Sequence, residues 1–197
     1  MWWKDIMNIN IDSSSQAEEF SVREAYKELI SSSQNNTSSA WSRLWNRAIP
    51  SKVSGLGWRL LQNRIPTVNN LIKRGVLDQN SNRCAGECGR EESVSHLFFE
   101  CTVFAGIWNH ILQWLGVKIA MQRDGWQHLE QFEGLISRDK TISTKLTVIW
   151  FACIWCIWKA RNEKIFQNEE INIEKNGGRG EIVILEMAAH QDKMYRR

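Results

Sequence analysis

The chain has 197 residues, 43% of them hydrophobic, and a net charge of +3, enough apolar material for one medium domain or two small ones. Its first five residues, Met1-Trp-Trp-Lys-Asp5, lack the basic-then-apolar order of a secretory leader, so none is expected. The longest apolar run, 146–158, falls short of the roughly 20 residues that a spanning helix needs, so it is expected as a buried helix and no membrane partner is expected.

The elements expected along the chain are almost all helical. Ser21 and Glu24 in Phe20-Ser21-Val22-Arg23-Glu24 form a capping box that opens a helix to about Ile30. Residues 31–39 form a polar loop, a short helix covers Trp41–Arg47, and Pro50 stands where a new helix can begin. Thr67 is placed to cap a helix over Val68–Arg74, with basic residues in its last turn and Gly75 to end it. Farther on, Phe104, Ile107, Trp108, Ile111, Leu112 and Leu115 share one helical face, and a second amphipathic piece covers Trp126–Ile136. The longest helix is expected from about Thr144 to Phe166. Gly177-Gly178-Arg179-Gly180 reads as a break rather than a phosphate-binding loop, since no G-K-[ST] follows; the last seventeen residues read as a helix or a loose tail.

Between these helices lies the segment that carries chemistry. Cys84, Cys88, His96 and Cys101 read C-x3-C-x7-H-x4-C, the ligand set of a closed Cys3His zinc centre. Such a site holds a fold together and leaves no open position to activate water, which points to a non-catalytic module. Ala85, Gly86 and Gly89 let the chain turn tightly around an ion. One geometric difficulty stands out. If His96-Leu97-Phe98-Phe99 is an ordinary helix, His96 and Cys101 lie about 140° out of phase, so the helix must start or distort between them. The bland alternative is four unconnected residues with Cys101 as a small buried hydrophobe.

Cys153 and Cys156 form a CxxC inside an apolar run, where the thiol pKa rises, so core packing is expected rather than redox chemistry. A thiol metal cluster and unpaired thiols suit a reducing compartment, nucleus or cytoplasm, rather than secretion. Charge is distributed unevenly. From Trp41 to Leu77 there is no Asp or Glu, while Arg43, Arg47, Lys52, Arg59, Arg64, Lys73 and Arg74 are all positive. Such a stretch suits a phosphate backbone of RNA or DNA; the competing reading is a solvated face that meets acidic protein. Trp41, Trp45 and Trp58 interleave with these cations and offer stacking surfaces if exposed, but for Trp45 and Trp58 the core is expected. His110, His128 and His190 are isolated and read as structural or solvated.

The motifs resemble, in order, the zinc-binding domain attached to reverse transcriptases of plant LINE-type (non-LTR) retrotransposons. The resemblance runs through Phe20-Ser-Val-Arg-Glu-Ala-Tyr26, Leu44-Trp45, Ile49-Pro-Ser-Lys-Val53 and Trp58-Arg59. Asn63-Arg-Ile-Pro-Thr67, Asn70-Leu71 and Arg74-Gly-Val76 follow; then come His96-Leu-Phe-Phe-Glu-Cys101 with Ile107-Trp108. It closes on Ile154-Trp155 and Trp158-Lys-Ala-Arg161-Asn162-Glu-Lys-Ile-Phe166, similar to the family's W-x-x-R-N-x-x-x-F. The resemblance implies a mostly α protein: a small helical domain around a Cys3His zinc loop, followed by a long apolar helix. The expected organisation is an N-terminal segment 1–19, the zinc-binding domain 20–116, a helical extension 117–168 and a tail 169–197.

Three departures from the family pattern matter. The first two cysteines are separated by three residues where two are commoner. Gly55 and Gly57 fall inside an expected helix, each costing up to about 1 kcal/mol relative to Ala and marking either relaxed constraint or close packing. No Asp-Asp pair is present to hold polymerase metals, and no obvious clustered acid set is present for a ribonuclease H. The chain therefore reads as a non-catalytic fragment of a retroelement polyprotein. Two functions stay open: a nucleic-acid-binding zinc module, and a docking module that packed against a reverse transcriptase, which an exposed apolar patch around 146–158 would favour.

Overall fold

Pro50 opens the first complete helix. Its fixed φ of −55° and extended ψ set the chain for α1, Ser51–Leu61, and its carbonyl accepts from the Val53 and Ser54 amides. The computed structural model describes residues 44–79, 83–137, 139–172 and 178. Contacts divide the chain into residues 1–39 and 40–197, and all described residues belong to the second unit. The expected capping box at 21–24, the loop 31–39 and the final tail lie outside the described residues. Of the expected break at 177–180 only Gly178 lies within them, and it is helical.

After α1 come α2 (Val68–Lys73), a π-helical turn (His96–Glu100), α3 (Ala105–Trp114), α4 (Gly125–Glu133) and α5 (Lys140–Gln167). The fold is all helical, with no strand among the described residues. α2 ends as its sequence implies: Gly75 takes φ +71°, the Val76 amide reaches back to Leu71 O and the Gly75 amide to Ile72 O. Its start differs from expectation. Thr67 is the N-cap residue but its hydroxyl is buried without a partner, and the Val68 amide is satisfied instead by Glu92 Oε1 at 3.1 Å.

α5 is the axle. Asp139 caps it by accepting from the Thr141 and Ile142 amides, which starts the helix four residues before the apolar run suggests. Residues 146–154 are buried without interruption, so this helix is apolar on every side because protein surrounds it. By length and composition it is apolar enough to cross a membrane, yet 61% of its most apolar window is buried within the protein. α1, α3, α4 and the π turn all pack on it. The α1 crossing explains one of the two helical glycines: a Cβ on Gly57 would fall into the Phe151 ring of α5, whereas one on Gly55 would meet nothing. Close packing accounts for Gly57 only.

At the centre of α3, α4 and α5, His128 sits among Phe99, Trp108, Phe132 and Trp150, with ring centroids 4.5–6.4 Å from its own. Trp150 Nε1–H donates to His128 Nδ1 at 2.9 Å, and Trp108 Nε1–H donates to the Phe98 carbonyl at 2.7 Å. Burial holds the His128 pKa down to about 4, so the imidazole is neutral there. Cys153 and Cys156 are core residues, and burial pushes the Cys153 thiol up.

The stretch before Pro50 departs from expectation. Among the described residues of the short helix expected over 41–47, only Leu44 is helical and the chain turns from Trp45 onward. Trp45, at that turn, is 59% exposed rather than in the core. Trp58 is half-buried against the core. Residues 146–158 offer no exposed apolar patch of the kind the docking reading called for, since α1, α3 and α4 cover them.

Candidate metal centre

A short loop and an irregular helical turn bring the four predicted ligands together. The loop closes on itself through the Cys84 amide, which donates to Arg90 O at 2.9 Å, and the Glu87 amide, which donates to Cys84 O. The residue that makes the spacing C-x3-C is accommodated by a left-handed conformation: Glu87 has φ +54°, and Gly89 follows at +81°. A left-handed non-glycine residue costs on the order of 1–2 kcal/mol, so something must hold the loop shut. Gly86 is small for a different reason. A Cβ there would lie 3.3 Å from Cys101 Sγ and 3.2 Å from the Phe104 ring.

The phase problem between His96 and Cys101 is solved by the π turn. The Cys101 amide closes on His96 O, an i→i+5 hydrogen bond of 2.7 Å, so residue 101 returns over residue 96 where an α-helix would carry it past. Ser93 starts this turn, its hydroxyl accepting from the His96 amide.

The four ligand atoms lie within 4.8 Å of one another. Cys84 Sγ and Cys101 Sγ are 3.7 Å apart, and Cys88 Sγ lies 3.1 Å from His96 Nε2. A tetrahedral ion with Zn–S bonds of about 2.3 Å spaces its sulfurs by about 3.8 Å, so the donor set fits one ion of that size. Cys84, His96 and Cys101 are buried and Cys88 is half-buried. Cys101 is held down to about 5 by its hydrogen bond with Cys84 and by the Phe104 and Val103 amides at the entry to α3. The same bond, with burial, pushes Cys84 up. The Gly86 amide donates to Cys84 Sγ at 3.4 Å. His96 Nδ1 is buried and has no hydrogen-bond partner among the described residues.

Sequence reading missed what lies behind the loop. Glu92 is fully buried, and its Oε2 accepts from the Ala85 amide at 3.0 Å while its Oε1 accepts from Val68 and from Arg161 of α5. Lys164 Nζ of α5 meets Glu87 Oε1 at 2.8 Å on the exposed side and holds that carboxyl below its ordinary pKa. The sequence signals Arg161 through its W-x-x-R-N motif, but nothing in the loop marks Glu92 as its partner.

Of the predicted basic residues, Arg43 lies outside the described residues. Arg47, Lys52, Arg59, Arg64, Lys73 and Arg74 are all exposed, and none forms an ion pair among the described residues. Lys52 and Arg59 lie two turns apart on α1, with Lys52 Nζ 5.1 Å from the Trp155 ring. Arg64 stacks 5.5 Å from Trp58, and Arg74 donates to the Arg64 carbonyl at 3.1 Å.

With this geometry stands one family match. Residues 20–108 match the family model for zinc-binding in reverse transcriptase. The matched stretch contains all four clustered ligands and every predicted cation, and it ends inside α3, before α4 and α5 begin. It is a match to a zinc-binding region associated with reverse transcriptase. Among curated proteins and solved structures, nothing matches the chain.

Proposed function

We propose that the protein is a non-catalytic zinc module of retrotransposon origin, of the LINE type found in plants, that binds the backbone of RNA or DNA. Zinc is the ion whose borderline softness suits three thiolates and one imidazole, and with four protein ligands it has a structural task. When bound it would be held by Cys84, Cys88, His96 and Cys101, pinning the loop against α3 and α5. The observation that carries the nucleic-acid reading is the continuity of the basic tract. Arg64 lies 5.5 Å from the Trp58 ring, its amide donates to the Arg59 carbonyl and its own carbonyl accepts from Arg74; all three arginines are exposed, and none has an acidic partner among the described residues. Unpaired like charges held near one another repel, and a polyanion relieves that repulsion while releasing its own counterions.

The test is a salt series of single-stranded RNA binding with Arg59, Arg64, Lys73 and Arg74 together changed to Ala. Weaker binding is expected, with the log–log salt slope flattened by roughly 0.7 per lost phosphate contact and zinc content unchanged. Unchanged affinity in the quadruple variant overturns the basic-tract reading. Zinc bound one per chain with no RNA or DNA binding by the unaltered protein favours the docking module on a reverse transcriptase instead.

A further inference from the structure

The metal loop is braced by a helix that the family match does not include. Glu92 receives four hydrogen bonds: from the Val68 amide at 3.1 Å, the Ala85 amide at 3.0 Å, and Arg161 Nε and an Arg161 terminal nitrogen at 3.2 and 2.8 Å. Both partners of the ion pair are buried, with side-chain exposures of 0% for Glu92 and 6% for Arg161. Arg161 is held in turn by the Trp158 ring at 5.0 Å and by Asn162 Oδ1 at 3.1 Å. Ala85 lies between Cys84 and Gly86, the residue whose amide donates to Cys84 Sγ. The bond from Ala85 to Glu92 therefore fixes the peptide from which the first thiolate projects.

Resting on the zinc reading above, we propose that Glu92 and Arg161 are positioning residues of the metal centre, which makes zinc affinity depend on the docking of the last two turns of α5. A buried ion pair that served stability alone would need no bond into the metal loop, and apolar residues of equal volume commonly replace such pairs without loss. Here the carboxylate has a third role. Without Arg161 the buried carboxylate loses its cation, turns toward water and lets go of the Ala85 amide. Lys164 and Glu87 add a solvent-screened strap on the other side of the same loop. The metal module of this chain thus extends through residue 167.

Zinc affinity of the full chain, measured by competition with a chromophoric chelator, tests this. Arg161→Met and Glu92→Gln are each expected to weaken zinc about tenfold or more, the range for supporting partners of metal ligands. Arg161→Lys, which restores the charge without the two-pronged fork, should fall between Arg161→Met and the unaltered chain. Leu129→Ala, a core truncation in α4 remote from the loop, is the control: it costs stability yet should leave affinity within about twofold. Cobalt(II) substitution reads geometry directly, and the tetrahedral thiolate bands of Arg161→Met should shift while those of Leu129→Ala do not. By reciprocity, zinc should slow amide exchange over residues 157–167. Equal changes in Arg161→Met and Leu129→Ala, or an Arg161→Met variant with undiminished affinity and unshifted cobalt bands, overturn the coupling. An unaltered chain that binds no zinc overturns the metal reading beneath it as well.

Discussion

Two buried histidines, His96 and His128, show two ways of holding a helical domain together. His96 opens the π turn that follows a polar loop, where a left-handed glutamate and three thiols converge with it on a space the size of one ion. His128 belongs to a region where Phe99, Trp108, Phe132 and Trp150 fill the space completely and the imidazole is a neutral acceptor for Trp150. The first is arranged around a ligand that would neutralise its sulfurs; the second is held chiefly by burial. The residue type is the same, and the surroundings decide whether it is a ligand or a packing element.

The largest expected difference between the two regions follows removal of the metal. Cys84→Ser, Cys101→Ser or a strong chelator should abolish stoichiometric zinc binding and cost several kcal/mol of stability, since structural zinc binding is folding free energy. Hydrogen exchange is the discriminating readout. Amides of 83–101 should lose protection first, while those of α4 and of the turns around Trp150 persist. Equal loss in both regions would break the comparison and make the domain one cooperative unit.

Acid acts on the aromatic region by a separate route. His128 has a folded pKa of about 4 against 6.5 for a free imidazole, so the unfolded chain takes up the proton more readily. Its contribution is complete above pH 6.5, declines as pH falls toward 4 and is gone below that, a loss of about 3 kcal/mol in all. Metal binding also weakens in acid, because protons compete for its ligands. Comparing denaturation midpoints of the unaltered protein with His128→Asn separates the two. The variant should be less stable at neutral pH but show a flatter dependence between pH 6.5 and 4. Identical slopes would assign all acid sensitivity to the metal loop.

The sequence was most informative where a local rule set the outcome. Pro50, Gly75 and the apolar spacing of 104–115 each determine their elements through φ or periodicity, and the helices stand where these place them. The four clustered ligands were legible because their chemistry is rare and their spacing short. The out-of-phase angle between His96 and Cys101 even required a distortion, although it did not say that the distortion would be a π turn. What stayed hidden depended on partners distant in the chain. Thr67 looks like a cap, but Glu92, twenty-five residues on, meets the first amide of the helix. Trp45 looks like core, but the chain turns there and leaves it exposed. Glu92 is an ordinary loop acid until α5 folds back and places Arg161 against it.

The smallest effects concern two glycines on one helix. Gly57 faces α5 beside the aromatic region, where a Cβ would enter the Phe151 ring, and Phe151 is itself fully buried and packed edge-on against Trp150 at 5.3 Å. Gly57→Ala should therefore cost about 1–3 kcal/mol, the usual penalty for overfilling a tight core, and leave zinc affinity unchanged. Gly55 has open space around its missing Cβ, so Gly55→Ala should stabilise the helix by up to about 1 kcal/mol. Thermal melts of the two variants side by side measure how rigid the burial-held region is. If Gly57→Ala is tolerated as well as Gly55→Ala, Phe151 can move aside, and the packing around His128 is looser than the region's resistance to metal removal requires.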